Sequence, residues 1–415
     1  ENRVLKCDSR CCVLVGSFLF FVSLALEWNV NLFRTICLCT VLVAIWKEPF
    51  FRDMISKSKQ LYTSLLFPVI AFFSFVTGPY GTGGLKTFDW VIYLLIGITI
   101  SLSSKKDIKI LLTIPLVCVC FSLLIIFFQW IVNGNIDMLF QHDMKMKIYN
   151  ESANRMGFVL SLSAAIVFGF FPLLRKYTWS LLILLLITTM LCWFTQSRSA
   201  IFALVGTAGV VFIFFIRSEL KQGIIILTFF LLVIGGAFFY IGGERITQTV
   251  YRGSWDFLLN GRGDIWEAAW EIFQKYPIVG GGVDSFRDAL ECHLNLLENA
   301  GRFPDIRSQY IFWNAHQMIL GILCETGIAG LIIFILLIYR AIRDGIKNYP
   351  ETFPALLMLV DFLIAGIGGY GFHRSWNSAF FFLAIGLIEG LRLRKNSLIR
   401  QPPAQHDQPC GAQAE

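Results

Sequence analysis

The sequence predicts an all-α polytopic membrane protein of about twelve transmembrane helices, and three observations predict it. The 415 residues are 56% hydrophobic and only 15% charged, with a mean hydropathy of +0.65, too apolar for a soluble globule and long enough for many spans. Apolar stretches of roughly 15 to 24 residues recur along the chain, the length a helix needs to cross hydrocarbon. Aromatic residues are abundant, with 40 Phe and 11 Trp, as lipid-facing surfaces with interfacial anchors require.

Taken in order, the expected spans lie near 11–28, 30–46, 60–78, 90–104, 109–132, 157–174, 178–195, 200–216, 223–242, 318–339, 354–372 and 377–391. Alternate connections are basic: Lys47, Arg52, Lys57 and Lys59; Lys105 and Lys106; Arg175 and Lys176; Arg217 and Lys221; Arg340, Arg343 and Lys347; then Arg392, Arg394, Lys395 and Arg400. The positive-inside rule puts these connections and both termini in the cytoplasm. The net charge of +7 is therefore spread between spans, which argues against a nucleic-acid surface. The cysteines Cys11, Cys12, Cys37, Cys39, Cys118, Cys120 and Cys192 fall in apolar runs and read as small hydrophobes, without disulfide or zinc spacing. Cys11 to Trp28 is followed by further spans and reads as a membrane helix, not as a cleaved signal.

Two opposite, outward connections are long: about Asn133 to Asn154 and about Gly243 to Ala315. Connections of that length in a compact protein usually carry function. The expected organisation is N-terminal spans over 1–242, a large outer loop over 243–316, C-terminal spans over 317–391 and a polar, disordered tail over 392–415. Within the large loop, Asp264 and then Trp266, Trp270 and Phe273 at i, i+4 and i+7 predict an amphipathic helix that lies on the bundle or at the lipid boundary. Pro277 ends it, and Gly280-Gly281-Gly282 makes a tight turn before Val283-Asp284-Ser285-Phe286.

At the end of this loop His316 stands in Trp313-Asn314-Ala315-His316-Gln317, just before an apolar run. An imidazole there can take a proton near neutral pH at a membrane surface. After His316-Gln317 come nine residues, Met318 to Thr326, then Gly327, two more residues and Gly330, inside Glu325-Thr326-Gly327-Ile328-Ala329-Gly330. Both glycines are expected to let helices approach closely. Glu325 is the one carboxylate between Arg307 and Arg340; it either orients a site or partners an arginine.

These residues carry a resemblance. The run Asn260-Gly261-Arg262, Trp266, Phe273, Pro277, Gly280-Gly281-Gly282 and Phe286, followed by His316-Gln317 and Glu325 to Gly330, resembles the O-antigen ligase and polymerase superfamily of bacterial inner membranes. Thr195-Gln196-Ser197-Arg198-Ser199-Ala200 is similar to the outward-facing Thr-Gln-x-Arg segment of the lipopolysaccharide O-antigen ligases. The matching motifs span about residues 190 to 378. The resemblance implies an architecture like that of the GT-C glycosyltransferases, with an active site facing the periplasm. It implies an inverting transfer of O-antigen polysaccharide from undecaprenyl pyrophosphate to a sugar hydroxyl of the lipid A core.

That reaction makes physical demands the residues can be weighed against. A sugar hydroxyl is a poor nucleophile and benefits from a base, and a departing lipid pyrophosphate needs cationic stabilisation. The chain has no Asp-x-Asp motif and its outward acidic residues do not cluster as metal ligands would, so no metal, cofactor or ATP is expected. Arginine, whose planar fork binds phosphate oxygens in pairs, is the remaining candidate. His316 is expected to be the base, Arg198 and Arg262 to hold the pyrophosphate, Arg374 to support them, and Gln317 and Glu325 to assist. The expected partners are carrier-linked O-antigen as donor, lipid A core oligosaccharide as acceptor and the membrane lipids, with no nucleic acid. A polymerase that uses the same donor is the nearer alternative. A glycan transporter is the more distant one, because transporters gather polar groups near mid-membrane.

Overall fold

A computed structural model describes residues 7–26, 30–47, 56, 59–103, 107–133, 153–195, 197–216, 225, 262–299, 315–369, 372 and 375–399. The α-helices among them are α1 (Cys7–Leu26), α2 (Val30–Lys47), α3 (Lys59–Thr77), α4 (Gly84–Ser103), α5 (Thr113–Asn133), α6 (Ala153–Phe170), α7 (Thr178–Phe194), α8 (Arg198–Ile216), α9 (Arg262–Lys275), α10 (Phe286–Asn299), α11 (Met318–Lys347), α12 (Phe353–Gly368) and α13 (Ser375–Ile399). Every expected span coincides with a helix except 223–242, which lies outside the described residues apart from Ile225.

The protein is a multi-pass, helical membrane protein. Gly84–Leu102, Arg175–Phe194 and Met318–Lys347 are long and apolar enough to cross a membrane, and seven shorter apolar helices accompany them among the described residues. Single large apolar side chains such as Trp179, Ile213 and Tyr339 point outward from the bundle, as a lipid-facing surface allows.

Small residues set the closest helix pair. A Cβ on Gly386 would lie 2.2 Å from Leu94 O, and one on Gly390 2.7 Å from Ile98 O, so α13 and α4 touch backbone to backbone. Close approach of this kind replaces the hydrophobic drive that lipid cannot supply. Around that seam an aromatic cluster fills the core: Phe67 stacks on Trp90 at 5.6 Å, Trp90 on Phe382 at 5.3 Å, and Phe372 meets Phe381 edge-on at 4.9 Å. Buried Phe372 thereby pins the connection between α12 and α13 to the bundle.

The buried carboxylate at the centre of the bundle is bonded, as burial demands. Fully buried Asp361 on α12 accepts from Ser161 Oγ of α6 at 2.9 Å and from Thr207 Oγ1 of α8 at 3.1 Å. At the basic end, Arg343 pairs with Asp344 at 2.9 Å, and Arg392 with Glu389 at 2.5 Å and Asp344 at 3.6 Å. Of the tail expected to be disordered over 392–415, residues 392–399 continue helix α13, and those beyond Ile399 lie outside the described residues.

Candidate functional site

The predicted amphipathic helix forms, as α9, but the stripe against the protein is not the aromatic one. Ile265, Ala268, Ala269 and Ile272 are buried, whereas Trp270 is 46% exposed and Trp266 and Phe273 are only half-buried. The reason is closeness of approach. Cys324 Sγ on α11 donates to Ala269 O at 2.9 Å, a contact that small side chains permit and indoles would block. The buried stripe joins Phe286, Ala289 and Leu290 of α10 with Ala315 and Cys324 in a second hydrophobic cluster, separate from the bundle core. Helix α10 was not foreseen in the sequence; Leu290, Leu294, Leu296 and Leu297 among charged residues are the pattern that could have shown it.

Helix α11 is broken. Gly327 takes φ 63 and ψ −165, a conformation essentially restricted to glycine, and divides the helix into an outer piece, 318–326, and a long inner piece. The loop after α9 enters the break and takes over its main-chain partners. Gly281 N donates to Cys324 O at 2.7 Å and Gly282 N to Glu325 O at 3.1 Å, while Ile328 N donates to Pro277 O at 2.9 Å and Ala329 N to Ile278 O at 3.2 Å. Side chains cannot fit here: a Cβ on Gly280 would lie 2.4 Å from Glu325 C, and one on Gly327 2.4 Å from Ile278 O. The three glycines 280–282 make the expected turn, and their deeper use is to let one backbone replace another.

Gly327 therefore does not serve helix-to-helix approach. Nor does Gly330, where a Cβ would strike the side chain of Thr326 one turn earlier on its own helix. That side chain is held inward by its hydrogen bond to Ile322 O at 2.8 Å.

A second glycine-rich segment, 78–84, closes the loop from the other side. Tyr80 N donates to Gly281 O at 3.1 Å and Gly83 N to Val283 O at 3.0 Å. Ser74 Oγ of α3 donates to Val279 O and to Glu325 O, each at 2.5 Å. Glu325 itself has a buried side chain whose carboxylate lies beside Asp284 and Lys86. Its cationic neighbour is thus a lysine, and the arginine partner considered from the sequence is not what the structure places there.

His316 caps this assembly. Its backbone is left-handed, φ 49, a state uncommon outside glycine though less so for His and Asn. Ala315 on one side is 1% exposed within the second cluster. Gln317 on the other is the N-cap of α11, its Oε1 accepting from Leu320 N. Such a cap satisfies an otherwise orphan helix donor. The histidine is half-buried between two fixed points.

Arg198 opens α8 directly after α7 ends. Thr195 Oγ1 donates to Cys192 O at 2.6 Å and accepts from Ser197 N at 3.3 Å. A Cβ on Gly157 would lie 2.5 Å from Ser197 Cβ, so α6 presses on the junction through that glycine. The last turn of α12 then relates the arginine to the histidine. A Cβ on Gly366 would meet Met318 Sδ at 2.9 Å, and one on Gly368 would meet Ser199 Cβ at 3.2 Å. Met318 is two residues past His316 and Ser199 one past Arg198, so both candidates flank the same turn of α12.

Arg262 opens α9, which runs alongside the outer piece of α11 in the same direction: Ala269 meets Cys324 and Pro277 meets Ile328. Its helix end and His316 accordingly lie at the same end of that pair. The side chain of Arg262 and the whole of Arg374 and His373 fall outside the described residues. Glu325 is about 13 Å along the helix from His316, at 1.5 Å per residue, and belongs to the break. Among the described residues, no three of His, Cys, Asp and Glu group as metal ligands would.

At the exposed rim, Tyr80 and Tyr276 meet edge-on at 6.0 Å, with Lys275 Nζ 5.4 Å from the Tyr276 ring centre. The hydrogen bond between the phenols raises the Tyr80 pKa above the ordinary phenol value, and the same Tyr276 hydroxyl holds the Lys275 ammonium above the ordinary lysine value.

Residues 182–335 match the family model described as O-antigen ligase. The matched stretch runs from α7 through α8, α9 and α10 to the inner piece of α11, and so includes Arg198, Arg262 and His316. No curated protein matches the chain.

Proposed function

We propose, from the match of residues 182–335 to the family model described as O-antigen ligase, that this membrane protein is an enzyme that transfers O-antigen polysaccharide from undecaprenyl pyrophosphate to a sugar hydroxyl of the lipid A core. The reaction takes place at the periplasmic face of the bacterial inner membrane. The observation that carries the reading is the shared turn of α12, which touches the residue after Arg198 and the second residue after His316.

His316 accepts the proton of the acceptor hydroxyl as its oxygen attacks the anomeric carbon of the donor. The bond from that carbon to the pyrophosphate oxygen breaks, and the single displacement inverts the anomeric centre. Arg198 and Arg262 take up the charge of the departing lipid pyrophosphate, with Arg374 in support. Arg198 lies in the first turn of α8, the wrong end of a helix for a cation by the dipole rule; a bound phosphate turns that into a favourable arrangement, since dipole and guanidinium then both attract the anion. The donor's own pyrophosphate bond supplies the driving force, so no ATP is needed, and the arginines take the charge-stabilising role.

The test is reconstitution of the purified protein with carrier-linked O-antigen and lipid A core, with chelator and without ATP, the products read as a gel ladder. Core-linked glycan that disappears in His316→Ala is the expected result. Lengthened carrier-linked chains beside a bare core would make the protein a polymerase, and the absence of any covalent product would end the enzymatic reading.

A further inference from the structure

Two described residues other than glycine have a left-handed backbone, Asp284 with φ 61 and His316 with φ 49. They stand at opposite ends of one rigid element, the outer piece of α11. Gln317 caps that piece at the His316 end. At the other end Glu325 O accepts from Gly282 N at 3.1 Å, two residues before Asp284, and the Glu325 carboxylate lies beside Asp284 and Lys86.

Asp284 is in turn fixed from α4. Its carboxylate pairs with Lys86 Nζ at 2.5 Å, its carbonyl accepts from Thr82 Oγ1 at 3.3 Å, and the preceding carbonyl of Val283 accepts from Thr82 N and Gly83 N. Gly83 makes the room, because a Cβ there would lie 2.5 Å from Asp284 Cβ. The other nearby carboxylate on α4, Asp89, is engaged by Arg34 of α2. Lys86 and Asp284 are each about a quarter exposed, so the pair contributes modestly to stability. Its geometry nevertheless ties α4, the glycine loop and the outer piece of α11 together at one place.

We infer that Lys86 and Asp284 are positioning residues for the transfer reaction, setting through Glu325 and the outer piece of α11 where His316 stands. The inference rests on His316 being the base of the proposed ligase. Neither residue touches substrate. They act on the placement of the imidazole, and a displacement of an ångström at a reacting group is enough to lower turnover severely.

Two readouts test this in the full-length protein in lipid nanodiscs. The first needs no activity: with ¹³C-labelled histidine, the His316 resonance is assigned by its loss in His316→Ala. Lys86→Met and Asp284→Asn each shift that resonance, while Lys347→Met at the far end of α11 leaves it in place. An unmoved His316 resonance in both variants overturns the inference. Lys86→Gln replaces Lys86→Met if the latter does not fold.

The second readout is turnover with carrier-linked O-antigen and lipid A core. Lys86→Met lowers kcat about tenfold with donor KM unchanged, the Lys86→Met/Asp284→Asn double variant falls no further than either single, and Lys86→Arg restores most of the rate. A loss confined to KM would make Lys86 a substrate contact, and a wild-type kcat in Lys86→Met would make the pair irrelevant to transfer; either result overturns the inference. If the wild-type protein forms no core-linked product, it is the ligase reading that fails, and the resonance still decides whether the clamp reaches His316.

Discussion

The two ends of the helical bundle are built on different plans. At the basic end the helices run out regularly and are tied by side chains, Arg343 to Asp344 and Arg392 to Glu389 and Asp344. At the other end side-chain ties such as Lys86 to Asp284 are joined by main-chain ones: the loop after α9 donates to α11 on one side of Gly327 and accepts from it on the other. Side-chain ties tolerate small shifts, because long flexible groups follow their partners. Main-chain ties through glycine fix atoms directly and admit no such slack. The difference teaches where exact placement matters, and the end that has it is the end that carries His316 and Arg198.

Breaking the comparison at its most sensitive point means removing His316. His316→Ala should cut transfer by roughly 10²–10⁴-fold, the usual contribution of a general base, while the protein still inserts and elutes as wild type; near-normal turnover would remove it from the chemistry. Arg198→Ala should follow at about 10²-fold, the scale of losing one stabilising donor. Arg198→Lys, which keeps charge but not the fork, should recover only part of it. Steady-state kinetics on both variants separate the two contributions.

Gly327→Ala tests the backbone plan itself. An alanine forced to φ 63 with Ile278 O at 2.4 Å from its Cβ should cost about 1–3 kcal/mol from conformation alone, visible as a lower unfolding midpoint in detergent together with lost transfer. At the opposite end, Arg392→Ala should cost about 1 kcal/mol at most and leave turnover unchanged. A large kinetic effect from Arg392→Ala would erase the contrast between the ends.

The helices were legible because hydropathy reports burial in lipid directly, and His316 stood out as a candidate because it interrupts an apolar context at a loop end. The break at Gly327 was not. A glycine advertises conformational freedom but not which distant carbonyl will use it, and here Ser74 reaches Val279 and Glu325 across 205 and 251 positions. The same blindness explains α9: hydrophobicity favours Trp266 and Trp270 as the buried face, whereas contact with Cys324 selects Ala268 and Ala269. A clue did exist in the pairing of two glycine-rich segments, 78–84 and 280–282, since each alone would be an ordinary turn. Lys86 carried no such signal, because a lone lysine after a turn reads as solvated surface.

Asp361 adds a consequence for how the protein is made. Its two hydroxyl partners sit on α6 and α8, which leave the ribosome some 150 to 200 residues earlier by position in the chain. Insertion of individual helices into the bilayer and their later packing are separable steps. The earlier helices can therefore insert without α12, and seating of Asp361 between Ser161 and Thr207 becomes the late event that sets the height of Gly366 and Gly368. A nascent chain stopped before that point would be fully embedded yet catalytically blank, so activity is acquired only once the last helices have docked.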